Sequence, residues 1–365
     1  MDHDSISAFT DYWGIPVGLG GNPLSWLALV ESPDQVCVRY RICPFSEAFR
    51  FNVDPLEIRQ IPTGIMNRIR LGSALKGTNL LLQRKLLPSW QTKWLRARVS
   101  KLIFDFDDAV FLRDSYHPKG FYDRKRMARF QAMMEAADVV VAGNQYLAGR
   151  AREFRSHSQT YIVPTCINPS LYPANNNQRE KGNNLYLVWI GSSSTLQGME
   201  SQTPLWNSIG RGVDEAIFRV ICDRFPNWNS LRFEGRLWSK STENKDLASA
   251  HVGLSWIPDD PWSRGKCGLK VLQYMASGLP VVANPIGVHL EMITQGVNGF
   301  LCNTPDEWVD AIRWLRDNPE KAKMMGHTGR KVVEEKYSIR AGFEAWTKIL
   351  SEVGQKNTHL SSCES

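Results

Sequence analysis

A chain of 365 residues is too long for one ordinary hydrophobic core and suits two domains. Its 42% hydrophobic and 22% charged residues exclude a disordered chain, and no apolar run reaches the roughly 20 residues that a membrane span needs. The net charge is +7, and seven scattered cysteines with no CxxC pair argue against a disulfide framework or a zinc site and for a reducing, cytoplasmic setting.

Residues 1–24 read as an irregular arm, acidic where a secretory signal would be basic. Gly18, Gly20 and Gly21 precede the first apolar run, whereas a dinucleotide fingerprint must follow a strand. Trp26 to Val30 is predicted as the first strand. After it, Arg39 and Arg41 alternate, which puts both on one face if that piece is extended. Asn79 to Gln83 reads as a short strand, Trp90 to Val99 as a helix and Lys101 to Phe106 as a buried strand. A helix over Arg124 to Ala137, a strand over Asp138 to Ala142, a helix over Gln145 to Phe154 and a strand over Thr160 to Pro164 follow. This βα rhythm predicts a doubly wound parallel sheet.

The polar, turn-rich segment 172–184 reads as a linker. A second βα series then begins with a strand over Leu185 to Ile190, entering the loop Gly191 to Thr195. Further strands are predicted over Phe218 to Cys222, Leu231 to Leu237 and Val252 to Ile257, with a helix beginning at Lys245 to Ser249. Helices over 305–317, 319–326 and 327–336 precede a last amphipathic helix from Tyr337 to Val353, and the polar tail from Gly354 reads as disordered. The expected divisions are an N-terminal Rossmann-like domain over 25–171 and a C-terminal one over 185–336. A helix over 337–353 and a tail over 354–365 complete the chain, and a cleft is expected between the domains.

The chemistry concentrates in residues 258–291. Asp259 and Asp260 open an acidic turn, and a basic loop of Arg264, Gly265, Lys266 and Gly268 follows. A helix is expected over Gly268 to Ser277 and a buried strand over Leu279 to Ala283. At helical spacing Lys266, Lys270 and Gln273 share one face. Two ammonium groups beside a helix N-terminus suit a diphosphate, and a glutamine farther along suits a ribose hydroxyl. A solvated basic turn before a core helix is the plainer alternative. Gly191 and Ser192 offer amides and a hydroxyl to the same diphosphate. Asp259 and Asp260 can accept from sugar hydroxyls or cap the turn at Pro261.

Asp105, Asp107 and Asp108 cluster at a strand exit. They can hold a divalent metal, hold acceptor hydroxyls without metal, or cap the next helix. The hydroxyl reading fits better, because the lysine-rich site lies in the other half. Arg39 and Arg41 stand near the exit of the first strand, where open sheets bind ligands. His117, His251 and His289 are isolated, His251 is expected to be structural and His289, in the loop Gly287 to Glu291, can face the cleft, and no hydrolase motif is present. The segment 84–101 carries Arg84, Lys85, Lys93, Arg96, Arg98 and Lys101 with Trp90, Trp94 and leucines but no acid. It can lie on an anionic membrane or form the outer helix of a domain. No nucleic-acid motif accompanies the charge.

Residues 259–288, DDPWSRGKCGLKVLQYMASGLPVVANPIGV, resemble a bacterial branch of glycosyltransferase family 4, the retaining GT-B enzymes. Trp189-Ile-Gly-Ser192, Val297-Asn-Gly-Phe300, Tyr337-Ser338, Ser32-Pro-Asp-Gln with Arg39-Tyr-Arg41, and Phe104-Asp-Phe-Asp-Asp-Ala109 extend the similarity over roughly residues 25 to 352. The resemblance implies two Rossmann-like domains facing a central cleft, with the last helix crossing back to the first domain. It implies a nucleotide-sugar donor on the C-terminal domain and a glycan or lipid-linked acceptor on the N-terminal one, with no cofactor beyond the donor and no metal. It places the basic diphosphate positions on Lys270 and on Lys266 or Arg264, with Gly268 and Leu269 at the helix start, and implies Lys270 and Lys266 as the catalytic groups. Two glutamates separated by seven residues mark the wider family. Here Gly265 and Gln273 occupy those positions, so Asp259 or Asp260 is expected to take over the donor-sugar contact. The expected activity is retaining, metal-independent sugar transfer in polysaccharide or glycolipid synthesis at the cytoplasmic membrane face. A GT-B nucleotide-sugar epimerase and a non-catalytic nucleotide-sugar-binding protein are the alternatives.

Overall fold

The structure is a computed structural model that describes residues 26–46, 56–62, 71–72, 75–154, 159–174, 182–228 and 231–355. The expected arm over 1–24, part of the expected linker (175–181) and the tail from residue 356 lie outside the described residues. The chain divides into two units. The first takes the described residues up to Arg113, residues 121–166, and those from Ile339 onward; the second takes 114–120 and 167–338.

In the first unit the strands are β1 (Trp26–Val30), β2 (Leu56–Gln60), β3 (Asn79–Gln83), β4 (Lys101–Phe106), β5 (Val139–Ala142) and β6 (Gln159–Ile162). They form one parallel sheet in the order β2-β1-β3-β4-β5-β6. The central strands WLALV and NLLLQ are buried throughout, as a sheet covered on both faces requires. Strand β2, LEIRQ, lies at the edge with only Leu56 buried. It carries too little apolar signal to be read from sequence.

The helices of this unit are α1 (Val36–Arg41), α2 (Ser89–Arg96), α3 (Arg124–Ala136) and α4 (Gln145–Arg152). Asp123 caps α3 by accepting from the amides of Lys125 and Arg126, and Asn144 caps α4 by accepting from that of Leu147. Residues 36–41 are helical rather than extended, so the strand alternation expected for Arg39 and Arg41 does not occur.

The second sheet contains β7 (Leu185–Ile190), β8 (Ala216–Cys222), β9 (Phe233–Leu237), β10 (Val252–Ser255), β11 (Val281–Ala283) and β12 (Gly299–Leu301). Their order is β12-β11-β10-β7-β8-β9, again all parallel. The strand order reverses between β7 and β10, the switch point where such sheets leave a crevice at the strand exits.

Around this sheet lie α5 (Ser193–Ser201), α6 (Thr203–Gly212), α7 (Glu243–Ala248), α8 (Leu269–Ala276), α9 (His289–Met292), α10 (Pro305–Asp317) and α11 (Pro319–Lys336). Glycines and a proline punctuate α5 and α6 and hide them from a periodicity reading. Their inward residues Leu196, Met199, Leu205, Trp206 and Ile209 nonetheless join the core. That core is aromatic: the Trp206 ring meets Trp308 edge-on at 5.7 Å and Phe218 at 6.2 Å.

Residues 319–336 form one helix rather than the expected two. The helix runs through Gly326, where a Cβ would lie 2.0 Å from the Gly278 carbonyl oxygen. This glycine serves close packing and breaks nothing. The last helix, α12 (Ile339–Gln355), sends Trp346, Ile349, Leu350 and Val353 into the core of the first unit beside Trp26, Ala28 and Val30.

Candidate nucleotide-sugar site

The site grows from the β7–β10 switch point. Strand β7 ends at Ile190, and the chain turns at Gly191 into α5. A Cβ at Gly191 would come within 2.3 Å of the Trp189 ring and 2.7 Å of Thr195 Oγ1, so only glycine fits. Thr195 Oγ1 accepts from the Ser192 amide at 3.2 Å, which fixes the loop.

From the other side comes α8. Tyr274, one turn beyond Lys270, packs its ring against Gly253 of β10, and its hydroxyl accepts from the Ile190 amide at 3.1 Å. Helix α8 is thereby pinned to both central strands. Its start is a left-handed turn at Gly268 (φ 66°), with no side-chain cap and no acid in the first turn. The amides of that first turn are left for an anion.

Lys270 occupies the crevice. Its Nζ donates to Thr195 Oγ1 at 3.2 Å and stands 4.3 Å from the centroid of the Trp189 ring. Burial above all, and then the like charge of Lys266, push its ammonium down to about 7 from the ordinary 10.5. A half-buried cation with a second cation beside it is the arrangement that a bound anion relieves.

Lys266 is not on α8. Residues Ser263–Gly265 form a 3-10 turn, Lys266 is extended and the left-handed Gly268 intervenes, so the single helical face expected for Lys266, Lys270 and Gln273 does not exist. Lys266 instead lays its Nζ 4.9 Å from the centroid of the Trp262 ring, and it reaches Lys270 through its field. Gly268 and Leu269 open the helix as expected.

Arg264 pairs with Asp259 at 2.8 Å, both about half exposed. Asp260 caps the 3-10 turn: its Oδ1 accepts from the Ser263 amide at 2.7 Å. Ser263 in turn shares a hydrogen bond with Ser115 at 3.2 Å. Gln273 is 4% exposed and is bonded to Glu243 at 3.0 Å and to Tyr172 at 3.4 Å.

His289 is buried; its Nδ1 donates to the Asn284 carbonyl at 2.8 Å, which leaves Nε2 to accept from Ser255 at 2.9 Å. Burial pushes its pKa down to about 4, so the ring is neutral and structural at pH 7. His251 Nδ1 accepts from the Tyr186 amide.

In the first unit Arg41 and Asp105 form a buried bidentate pair at 2.5 and 3.0 Å, and Arg41 also donates to the Val163 carbonyl. Both belong to the interior. Asp107 and Asp108 face Arg84 at 3.5 and 2.6 Å, and burial foremost raises the Asp107 pKa. Arg39 lies over the Tyr40 ring.

The basic run 84–101 gathers acids from other elements. Arg84 pairs with Asp107 and Asp108, Lys85 with Glu31 and Arg96 with Asp138, while Arg98 stacks on Trp94. Half of its six cations are therefore met by acids within the fold. Trp90 remains 68% exposed.

Sequence reading missed Trp189 as the ring under Lys270, Tyr274 as the pin of α8, and Glu243. The first two lie inside quoted motifs. Glu243 lies 30 residues before Gln273 in an unmarked segment, and no local signal points to it.

Two parallel six-stranded sheets with flanking helices, one carrying this crevice at its switch point, are the GT-B fold. Solved structures with that architecture align along nearly the whole chain. The sucrose-phosphate synthase from Thermosynechococcus elongatus covers 93% of this chain and 100% of its own at 15% identity and a TM-score of 0.67. Anabaena HepE in complex with UDP and glucose covers 90% and 100% at 15% identity and 0.65.

The family described as Glycosyl transferases group 1 matches residues 261–332, which hold α8 and the basic loop before it. The likeness to GT-B glycosyltransferases read from the sequence is thus upheld. Trehalose synthase of Pyrococcus horikoshii is 31% identical over 87 residues, 24% of this chain and 21% of its own. Alpha-1,3/1,6-mannosyltransferase ALG2 of Dictyostelium discoideum is 34% identical over 74 residues, 20% and 18%. This chain thus matches about a fifth of the length of these curated relatives.

Proposed function

We propose that the chain is a retaining, metal-independent glycosyltransferase that moves a sugar from a nucleoside diphosphate sugar to a glycan or lipid-linked acceptor. The observation that carries this reading is the half-buried Lys270 at the bare N-terminus of α8, aimed into the β7–β10 crevice beside Thr195. UDP in Anabaena HepE supports a nucleoside diphosphate as the leaving group.

Charge develops on the diphosphate as the bond to the sugar C1 breaks. Lys270, with Lys266 or Arg264, and the first-turn amides of α8 supply that stabilisation from fixed positions. Positive charge already in place is what favours metal-independent transfer. The acceptor oxygen bonds to C1 on the face the diphosphate leaves, and a diphosphate oxygen takes its proton. Gly191 and Ser192 contribute loop amides, Gln273 the ribose contact, and Asp259 or Asp260 the donor-sugar contact. On the acceptor side Asp107, Asp108 and Arg39 are the candidates, since Asp105 and Arg41 neutralise each other inside the unit.

Synthesis of a cell-surface polysaccharide or glycolipid at the cytoplasmic membrane face is part of this proposal. Among the described residues no helix is long and apolar enough to cross a membrane.

The test is incubation with a panel of nucleotide sugars and membrane lipid extract. Release of nucleoside diphosphate with a labelled acceptor is the expected result. Donor conversion without acceptor makes the chain an epimerase, and binding without turnover makes it a nucleotide-sugar-binding protein.

A further inference from the structure

The Gln273 side chain has a fixed sense. Its Nε2 lies 3.0 Å from Glu243 Oε1 and 3.4 Å from the Tyr172 hydroxyl. Glu243, at the start of α7, is 3% exposed and accepts twice more, from Trp238 Nε1 at 2.7 Å and from the Tyr172 hydroxyl at 3.3 Å. Three side chains therefore converge on one buried carboxylate.

A carboxylate only accepts hydrogen bonds, whereas an amide donates on one side and accepts on the other. Glu243 thus turns the NH2 of Gln273 toward itself. The carbonyl Oε1 is left over, and no donor among the described residues reaches it. Gln273 follows Lys270 by three residues, so the two side chains are neighbours on the α8 surface. A ribose linked to a diphosphate held at Lys270 would bring its hydroxyls to this oxygen.

We infer that Glu243 is a positioning residue that locks Gln273 with Oε1 outward, so that the glutamine accepts a hydrogen bond from a ribose hydroxyl of the bound nucleotide. The negative charge that a glutamate would bring to position 273 is carried by the side chain behind it, on another helix. This rests on the nucleotide reading of the Lys270 site.

The test separates a hydroxyl donor from a group that only accepts. UDP, ADP and GDP are titrated calorimetrically beside their 2′-fluoro and 3′-fluoro forms, with inorganic pyrophosphate as the control for the phosphate half. Fluorine cannot donate. The wild type is expected to prefer the hydroxyl form by about tenfold at one of the two positions, the scale of one hydrogen bond.

In Glu243→Gln, the new amide keeps its oxygen toward Trp238 and turns its NH2 toward Gln273, which must flip. The flipped Gln273 presents NH2, which hydroxyl and fluorine both accept, so the preference should shrink to about threefold or less with pyrophosphate affinity unchanged. The exchange variant Glu243→Gln with Gln273→Glu should regain the preference. There the amide introduced on α7 donates to one oxygen of the carboxylate introduced on α8, and the other oxygen faces the ribose.

A folded Glu243→Gln variant with the wild-type preference overturns the inference. Should that variant fail to fold, Glu243→Ala decides: with Gln273 freed to present either end of its amide, a shrunken preference supports the inference and a preference of wild-type size overturns it. If the wild type binds neither pyrophosphate nor any of the diphosphates, the nucleotide reading itself falls, and the inference falls with it.

Discussion

Lys270 Nζ donates to Thr195 Oγ1 at 3.2 Å and so joins the start of α8 to the loop that leaves β7. The ammonium bridges the two strand exits of the switch point. Its burial makes its protonation depend on what else occupies the crevice.

In the free protein Lys270 titrates at about 7, below its ordinary 10.5. A bound diphosphate favours the protonated form and raises that value. Below pH 7 the lysine is already charged and binding takes up no proton. Above pH 7 each unit should weaken nucleoside diphosphate binding by about tenfold until the pKa of the complex is reached. Calorimetry at pH 8 in buffers of different ionisation enthalpy should show proton uptake approaching one. For folding the sign is opposite to that of an ordinary paired lysine: the ligand-free protein gains stability from this group as pH rises from about 7 toward 10.5, because the unfolded chain holds the proton longer.

Replacing Lys270 with Ala removes one fixed positive charge from the leaving group. Turnover should fall by about two orders of magnitude, the usual scale for one such contact. Stopped assays of nucleoside diphosphate release check this, and wild-type turnover would dismiss the site assignment.

Gly191→Ala places a methyl against both partners of Lys270, the Trp189 ring and Thr195 Oγ1. Donor affinity should drop by about tenfold, roughly one hydrogen bond, with a smaller change in melting temperature than a core truncation causes. Equilibrium titration and thermal unfolding, run together, distinguish the two effects.

Asp105→Ala leaves the Arg41 guanidinium buried without its carboxylate. The cost should be about 3–5 kcal/mol of stability, visible in denaturant unfolding. The same variant should bind nucleoside diphosphate at the wild-type level. A selective loss of acceptor use in a protein of normal stability would instead return Asp105 to the acceptor site.

Membrane contact, if the 84–101 segment makes it, now rests on Trp90 and Lys93 of α2 more than on the paired Arg84, Lys85 and Arg96. Trp90→Ala with Lys93→Glu should lower cosedimentation with anionic vesicles several-fold, since each basic residue near such a surface contributes about 1 kcal/mol. Equal sedimentation would make α2 an ordinary outer helix.

Much of the architecture is legible in the sequence alone. Buried parallel strands announce themselves as short apolar runs, so Trp26 to Val30, Asn79 to Gln83, Lys101 to Phe106 and Leu185 to Ile190 were read to the residue. The anion-binding reading of Lys270 followed from local order: a glycine-punctuated basic loop that leads into a helix. Both are properties of a single segment and its period.

What escaped depends on groups brought together from afar. No pattern near residue 41 reveals that its guanidinium pairs with Asp105, or that the bases of 84–101 find Glu31, Asp107, Asp108 and Asp138. A glycine looks like a breaker until its neighbour is seen, as Gly326 shows against Gly278. Glutamine at position 273 reads as the loss of a charge until folding sets Glu243 behind it. Periodicity reports which face of an element is apolar. Partners across the chain are chosen by packing, and a buried charge or amide takes its meaning from the group that packing places beside it.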